Sequence, residues 1–413
     1  MGVKKYEIDT PENREFLKEQ SVELLEFGRR FASPGGSAYY LGDDGTPWKD
    51  KNRETYETCR MAHVYSLGAF LGFAGSEQLI DEALKALRGE LHDKEHGGWY
   101  AGLSPDDTFL PTKQCYAHAF VILAASSAYL AGREGAKELL DVAISVYDLR
   151  FWNEEEGLSS DIWNTEFTVM DDYRGMNANM HTVEAFLAAA DALEDDTYRK
   201  RAGRIISRVV PWAKENGWRL PEHFTKDWAA DLECNKDRPD DPFKPYGATP
   251  GHGIEWSRLI AQWAISAYDK GAAEAAPYLE AAENLYNRAI SDAWNADGAP
   301  GIVYTTGWDG KPVVHDRMHW TLAEAINTSA VLYRLTGKEK YASDYAAFMQ
   351  YLDESVIDHV NHSWFHQMDK DNQVMETVWP GKPYLYHALQ AMRIPYYTPE
   401  LSIALADNRG AHI

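Results

Sequence analysis

Histidines and carboxylates recur in this 413-residue chain at spacings that set them on one face of a helix. In Tyr246-Gly-Ala-Thr-Pro-Gly-His-Gly-Ile-Glu-Trp-Ser-Arg-Leu259, Pro250 and Gly251 punctuate a loop. Trp256, Leu259, Ile260, Trp263 and Ala264 then return at helical spacing, which predicts a helix with a buried stripe. His252 and Glu255, three apart, share another face of its first turn. An imidazole titrating near neutral pH beside a carboxylate is an acid/base pair. A helix cap carrying a surface histidine accounts for the same residues without chemistry. The pattern returns elsewhere at i, i+4 and i+7: Tyr56, Arg60 and His63; Asn177, His181 and Glu184; Trp320, Glu324 and Asn327. Tyr116 and His387 stand near the starts of two further segments. One such line is usually a solvated face; several, each near the start of a helix, fit a shared pocket better.

The periodicity predicts twelve helices of moderate length, over 11–31, 53–72, 75–90, 113–131, 134–149, 177–194, 196–214, 252–269, 273–291, 320–336, 338–355 and 384–393. Aromatic, glycine-bearing segments separate alternate helices: Gly97–Tyr100, Phe151–Asn153, Gly301–Tyr304 and Ser363–Phe365. They read as short strands or hairpins capping a helical body. Six helix pairs predict an all-α fold, an (α/α)6 barrel with short β-hairpins in the loops at one end. No Pro/Ser-rich linker divides the chain, so residues 1–413 are expected to form a single domain. In such a toroid the inner helices start at one end. Their clustered N-termini favour a developing oxyanion there.

Composition narrows the partners. Lys plus Arg number 41 and Asp plus Glu 64, a net charge of −23. Such a surface repels phosphate backbones and anionic lipid, so neither nucleic acid nor membrane is an expected partner. No apolar run approaches membrane-spanning length. The 14 Trp and 24 Tyr suit the apolar C–H faces of a sugar, though an aromatic-rich core also accounts for them. Cys59, Cys115 and Cys234 are widely separated and odd in number. With no apolar signal core near the N-terminus, they point to a reducing, cytoplasmic setting. His63, His118, His315, His319, His362 and His366 are scattered without zinc spacing, so neither metal nor cofactor is expected. Neither a monomer nor a homo-oligomer is favoured.

Longer motifs carry a resemblance. Glu57-Thr-Cys-Arg-Met-Ala-His-Val-Tyr65, Gly97-Gly-Trp-Tyr100, Arg174-Gly-Met-Asn-Ala-Asn-Met-His181, Thr249-Pro-Gly-His-Gly-Ile-Glu-Trp256 and Tyr386-His387 resemble the motifs of the N-acylglucosamine 2-epimerase superfamily, over about 50 to 390. Within it the chain is most similar to the aldose–ketose isomerases acting on mannose or sulfoquinovose. The resemblance implies an (α/α)6 barrel and metal-independent proton transfer through a cis-enediol. It puts the catalytic histidines on His252 and His387. Substrate contacts fall on Arg60, Tyr116, Asn177, His181, Glu255, Trp320 and Glu324, with Tyr56 standing where relatives have tryptophan.

Those residue types suit the reaction. Moving a carbonyl from C1 to C2 removes the C2 proton and returns it to C1, which one base on one face of the enediol can do. A second imidazole opens the pyranose ring. His387 is expected to transfer the proton and His252 to open the ring, with Glu255 and Glu324 orienting them. Arg60 and His181 would hold the oxygens as charge develops. The expected reaction interconverts D-mannose and D-fructose, with D-lyxose and D-xylulose as a second pair. The alternatives are a mannose/glucose 2-epimerase, a sulfoquinovose isomerase, and a non-catalytic carbohydrate-binding protein. In the sulfoquinovose branch, one arginine and two glutamines serve the sulfonate. By motif those positions fall here on Pro242, His366 and Pro383, with Lys244 nearby as a competing cation.

Overall fold

A computed structural model describes residues 4–268 and 272–410. Among these the helices are α1 (Pro11–Gly28), α2 (Thr55–Phe70), α3 (Ser76–Arg88), α4 (Cys115–Leu130), α5 (Ala136–Arg150), α6 (Met176–Leu193), α7 (Asp196–Glu215), α8 (Pro250–Tyr268), α9 (Ala272–Ala293), α10 (His319–Thr336), α11 (Glu339–Tyr351), α12 (Tyr386–Arg393) and α13 (Ile403–Arg409). Each of the twelve expected helices is present with ends displaced by a few residues. The expected end of α8 at 269 lies outside the described residues. The helix expected over 338–355 leaves α-geometry at Leu352–Val356, a π-helical turn.

The even-numbered helices close a ring. α2 packs on α4, α4 on α6, α6 on α8, α8 on α10, α10 on α12, and α12 back on α2. The odd-numbered partners lie outside: α3 against α2, α5 against α4, α7 against α6, α9 against α8, α11 against α10, and α1 against α12. The fold is therefore the expected (α/α)6 barrel. Sequence separates the rings. α4 reads Cys-Tyr-Ala-His-Ala-Phe-Val-Ile-Leu-Ala-Ala and is buried on every side but its ends, as an inner helix must be. α3 and α7 keep one apolar stripe, with Ile80, Leu84 and Leu87, and Ile205, Ile206 and Val209, turned inward.

Two-stranded antiparallel ladders fix where the inner helices start. Arg53–Glu54 pairs with Gly102–Leu103 just before α2, and Thr112–Gln114 pairs with Ile162–Asn164 just before α4. Arg174–Gly175 pairs with His223–Phe224 before α6, and Arg317–Met318 pairs with Gln367–Met368 before α10. Each ladder ties one inter-helix loop to the next, so the inner N-termini gather at one end.

α13 was not expected. It packs on α2, α4 and α6. Ser402 caps it by accepting from the Leu405 N–H at 3.3 Å, and Gly410 ends it with a left-handed backbone (φ 58°). Its seven residues hold too little of a helical repeat to stand out by periodicity.

Candidate active site

The second residue of five inner helices faces a common cavity of about 450 Å³. These are Tyr56 on α2, Tyr116 on α4, Asn177 on α6, Trp320 on α10 and His387 on α12. On α8 that position is Gly251. A Cβ there would lie 2.6 Å from the Trp320 ring, so glycine lets the indole seat against the start of α8. His252 follows immediately. One turn deeper, Arg60, His181 and Glu255 complete the wall. Nine of the ten residues singled out from sequence thus line one cavity. The tenth, Glu324, lies beneath the wall, fully buried against His387.

Trp320 packs near both histidines. Its ring centroid is 5.0 Å from that of His252 and 5.9 Å from that of His387. His387 Nδ1 lies 3.1 Å from Glu324 Oε1. A carboxylate only accepts, so Nδ1 carries the proton and Nε2 keeps the lone pair. Burial pushes His387 well below the ordinary histidine value, and the Arg60 charge adds to it. Burial likewise lowers His181, whose Nδ1 lies 3.3 Å from Glu184 Oε2.

The expectation that Glu255 orients His252 is corrected. Among the described residues, the carboxylate at ion-pairing distance from His252 is Glu222, with Oε2 3.0 Å from Nδ1. The contact lacks hydrogen-bond alignment. Residues three apart are turned about 60° from each other around a helix axis. Glu255 therefore points deeper, toward Arg258, 3.5 Å away. Burial, then the neighbouring Glu324, raises its carboxyl well above the usual range.

Arg60 is a buried cation without a carboxylate partner among the described residues. Its Nη2 donates to the Tyr116 hydroxyl at 2.7 Å. The rings of Tyr384, Phe120, Tyr386 and Tyr56 lie 4.5–5.0 Å from the guanidinium carbon. Nε has no partner. A desolvated charge beside a cavity, with no carboxylate to neutralise it, is available to an oxygen of the ligand.

Three further residues on the expected faces, His63, Glu184 and Asn327, do not line the cavity. His63 binds Ser127 Oγ through Nδ1 at 2.7 Å, and burial pushes it down to about 4. Asn327 lies 3.4 Å from Glu324. Sequence reasoning missed Glu222, Tyr384, Tyr304 and Tyr173, which come from non-helical segments. It also missed Glu54 and Asp161, wall carboxyls that burial pushes up to about 7.

Cation-binding atoms meet here in a way no linear spacing announced. Donor atoms of His181, Glu184 and Glu255 lie within 4.8 Å of one another, as do those of Glu255, Glu324 and His387. Arg258 already supplies positive charge to both groups, 2.8 Å from Glu324 and 3.8 Å from Glu184. The clusters read as an ion-pair network rather than as a metal site. No described helix is long and apolar enough to cross a membrane.

Residues 35–391 match the model of the N-acylglucosamine 2-epimerase (GlcNAc 2-epimerase) family. A D-mannose isomerase of Thermobifida fusca is 40% identical over 399 residues, 95% of this chain and 97% of the relative. A D-mannose isomerase of Pseudomonas cannabina pv. alisalensis is 39% identical, covering 97% of each. A solved D-mannose isomerase superposes with a TM-score of 0.85 at 26% identity, covering 92% of this chain and 97% of that one.

Proposed function

Because the chain belongs to the N-acylglucosamine 2-epimerase family, we propose that it is an aldose–ketose isomerase interconverting D-mannose and D-fructose. The observation that carries this is a pair of histidines near one indole in a single aromatic-walled cavity, beside a guanidinium that no described carboxylate pairs with. The full-length likeness to D-mannose isomerases supports it.

The sugar lays an apolar C–H face on Trp320. His252, steadied by Glu222, shuttles a proton between the ring oxygen and the O1 hydroxyl, which opens the pyranose. His387 Nε2 removes the C2 proton while Nδ1–H donates to Glu324. The carbonyl oxygen becomes an enediolate oxygen, and Arg60 with His181 meets that charge. The O2 hydroxyl proton passes to O1 within the enediolate as His387 returns its proton to C1 on the same face, which leaves the carbonyl at C2 and gives the ketose. Tyr56, Tyr116, Asn177 and Glu255 hold the remaining hydroxyls. The chain works as one domain, a reading supported by a hydrophobic core continuous through all twelve barrel helices. A cytoplasmic location fits Cys59, Cys115 and Cys234, all free thiols.

One observation favours a second reading. His252 and His387 both pack near the same indole, at ring-centroid distances of 5.0 and 5.9 Å, so a sugar that turns between the two bases would receive its C2 proton on the opposite face. That is 2-epimerisation to glucose. Incubation with D-mannose in D2O, followed by NMR, separates the readings. An isomerase gives fructose and solvent deuterium in the recovered mannose. Glucose as the main product replaces isomerase with epimerase. Unchanged mannose leaves a binding protein.

A further inference from the structure

We propose that Arg258 is a positioning residue that sets the working protonation state of the His387–Glu324 pair, by joining in one guanidinium the three carboxylates that converge beneath the cavity. This rests on the isomerase reading and extends it to a residue that touches no substrate, since Arg258 does not line the cavity.

The geometry is specific. Arg258 sits one turn below Glu255 on α8, with a side chain only 3% exposed. Its Nε donates to Glu324 Oε2 at 2.8 Å, and Nη1 donates to Gln262 Oε1 at 3.0 Å. Its Nη2 lies 3.5 Å from Glu255 Oε1 and 3.8 Å from Glu184 Oε1. Gln262 is held in turn through the Glu400 carbonyl at 3.1 Å, so the C-terminal segment fixes the fork from behind. Glu184, Glu255 and Glu324 come from α6, α8 and α10, and each serves the cavity. Glu324 Oε1 meets His387 Nδ1, Glu184 Oε2 meets His181 Nδ1 and the Tyr386 hydroxyl, and Glu255 lines the wall.

Three buried carboxylates around one cation hold more negative charge than it balances. Burial raises both Glu255 and Glu324, and the Arg258 charge opposes that rise. The other charged or titratable groups facing His387 and this cluster are Arg60 and His63 from α2, Tyr116 from α4, His181 from α6, His319 from α10, His366 from the segment after α11, Tyr384 just before α12 and Tyr386 at its start. The pair works with Glu324 ionised and His387 neutral, because only then does Nδ1 donate and Nε2 accept. Removing a nearby positive charge favours one more proton on the pair as a whole, whichever partner takes it. Loss of Arg258 therefore raises the pH at which the pair becomes competent. Packing alone would lower the rate without moving that pH.

The experiment uses full-length Arg258→Met and Arg258→Lys. One readout is the pH titration of the His387 ring in free protein, its 13Cε1–1H signal assigned by its loss in His387→Asn. The other is the acid limb of kcat for D-mannose. For Arg258→Met both should move up by about one pH unit or more, the scale of a unit charge lost a few Å away. Its kcat should fall roughly 10–100-fold with KM little changed. Arg258→Lys keeps the charge but not the fork, so its limb should move up by less. A folded Arg258→Met titrating where the parent does overturns the proposal. If Arg258→Met fails to fold by circular dichroism, Arg258→Lys decides: an upward shift supports the role, and parental limb and kcat refute it. The titration needs no turnover, so a parent inactive on mannose would sink the isomerase reading and leave this result standing.

Discussion

Glu324→Gln removes one charge and one acceptor while keeping size and shape. In the native protein one carboxylate oxygen accepts from Arg258 Nε at 2.8 Å, and the other accepts from His387 Nδ1–H at 3.1 Å and from the Asn327 amide at 3.4 Å. An amide has one acceptor and one donor end, so it serves only one of them. Hydrogen bonds to charged groups contribute about 1.5–3 kcal/mol and neutral ones about 0.5–1.5 kcal/mol. The amide oxygen therefore turns to Arg258, and the NH2 faces His387. Nδ1 must then accept, so the ring proton moves to Nε2, the nitrogen that should take the C2 proton. The base is present but in the wrong tautomer. Loss of a positioned general base costs about 10²–10⁴ in rate, and kcat should fall within that range. Glu324 lies beneath the wall, so KM should change less than about threefold, a difference of under ~1 kcal/mol. The assay is steady-state fructose formation, with circular dichroism to verify folding. A kcat within threefold of the parent, or a loss confined to KM, would show that the Nδ1 contact does not set the base.

Burial and Arg60 hold His387 below its ordinary value, so the base stays deprotonated through neutrality and loses function only as pH falls through that lowered value. The acid limb of kcat/KM should therefore lie below about 6.5, the unperturbed histidine pKa; a limb at or above it contradicts this account. Exhaustive dialysis against EDTA should leave turnover intact, because Arg258 supplies the charge within both candidate cation clusters; activity lost and then restored by a divalent ion would disprove metal independence. Mannose should be preferred to sulfoquinovose by at least about 100-fold in kcat/KM, since two missing charge-assisted contacts at about 1.5–3 kcal/mol each exceed that ratio. Pro242 on the wall offers no donor, His366 stacks on His319 and meets the Tyr384 ring edge-on at 5.1 Å, and Lys244 lies 3.6 Å over the Tyr173 ring; equal efficiencies would mean that Lys244 leaves that ring for the sulfonate.

Helical periodicity reports an angle around an axis, and the sequence was legible wherever angle sufficed. Tyr56, Tyr116, Asn177, Trp320 and His387 are legible because each stands second in an inner helix, and a polar or aromatic residue at such a start has one cavity to face. Depth is a different coordinate. His63 and Asn327 share the angle of Arg60 and Glu324 but lie a turn lower, where Ser127 and Glu324 bind them and no ligand reaches. Glu222 was illegible for another reason. It precedes a two-residue strand, and the pairing of His223–Phe224 with Arg174–Gly175, not any local pattern, brings it to His252. Arg258 shows the limit most sharply. It belongs to the same Tyr246–Leu259 segment as His252, yet an arginine two residues past Trp256 reads as the solvated side of a helix. Its meaning depends on carboxylates 74 residues before it and 66 after it, brought together only when the ring closes. A cation's role follows from the anions around it, and in a toroid those anions arrive from helices that are neighbours in space and remote along the chain.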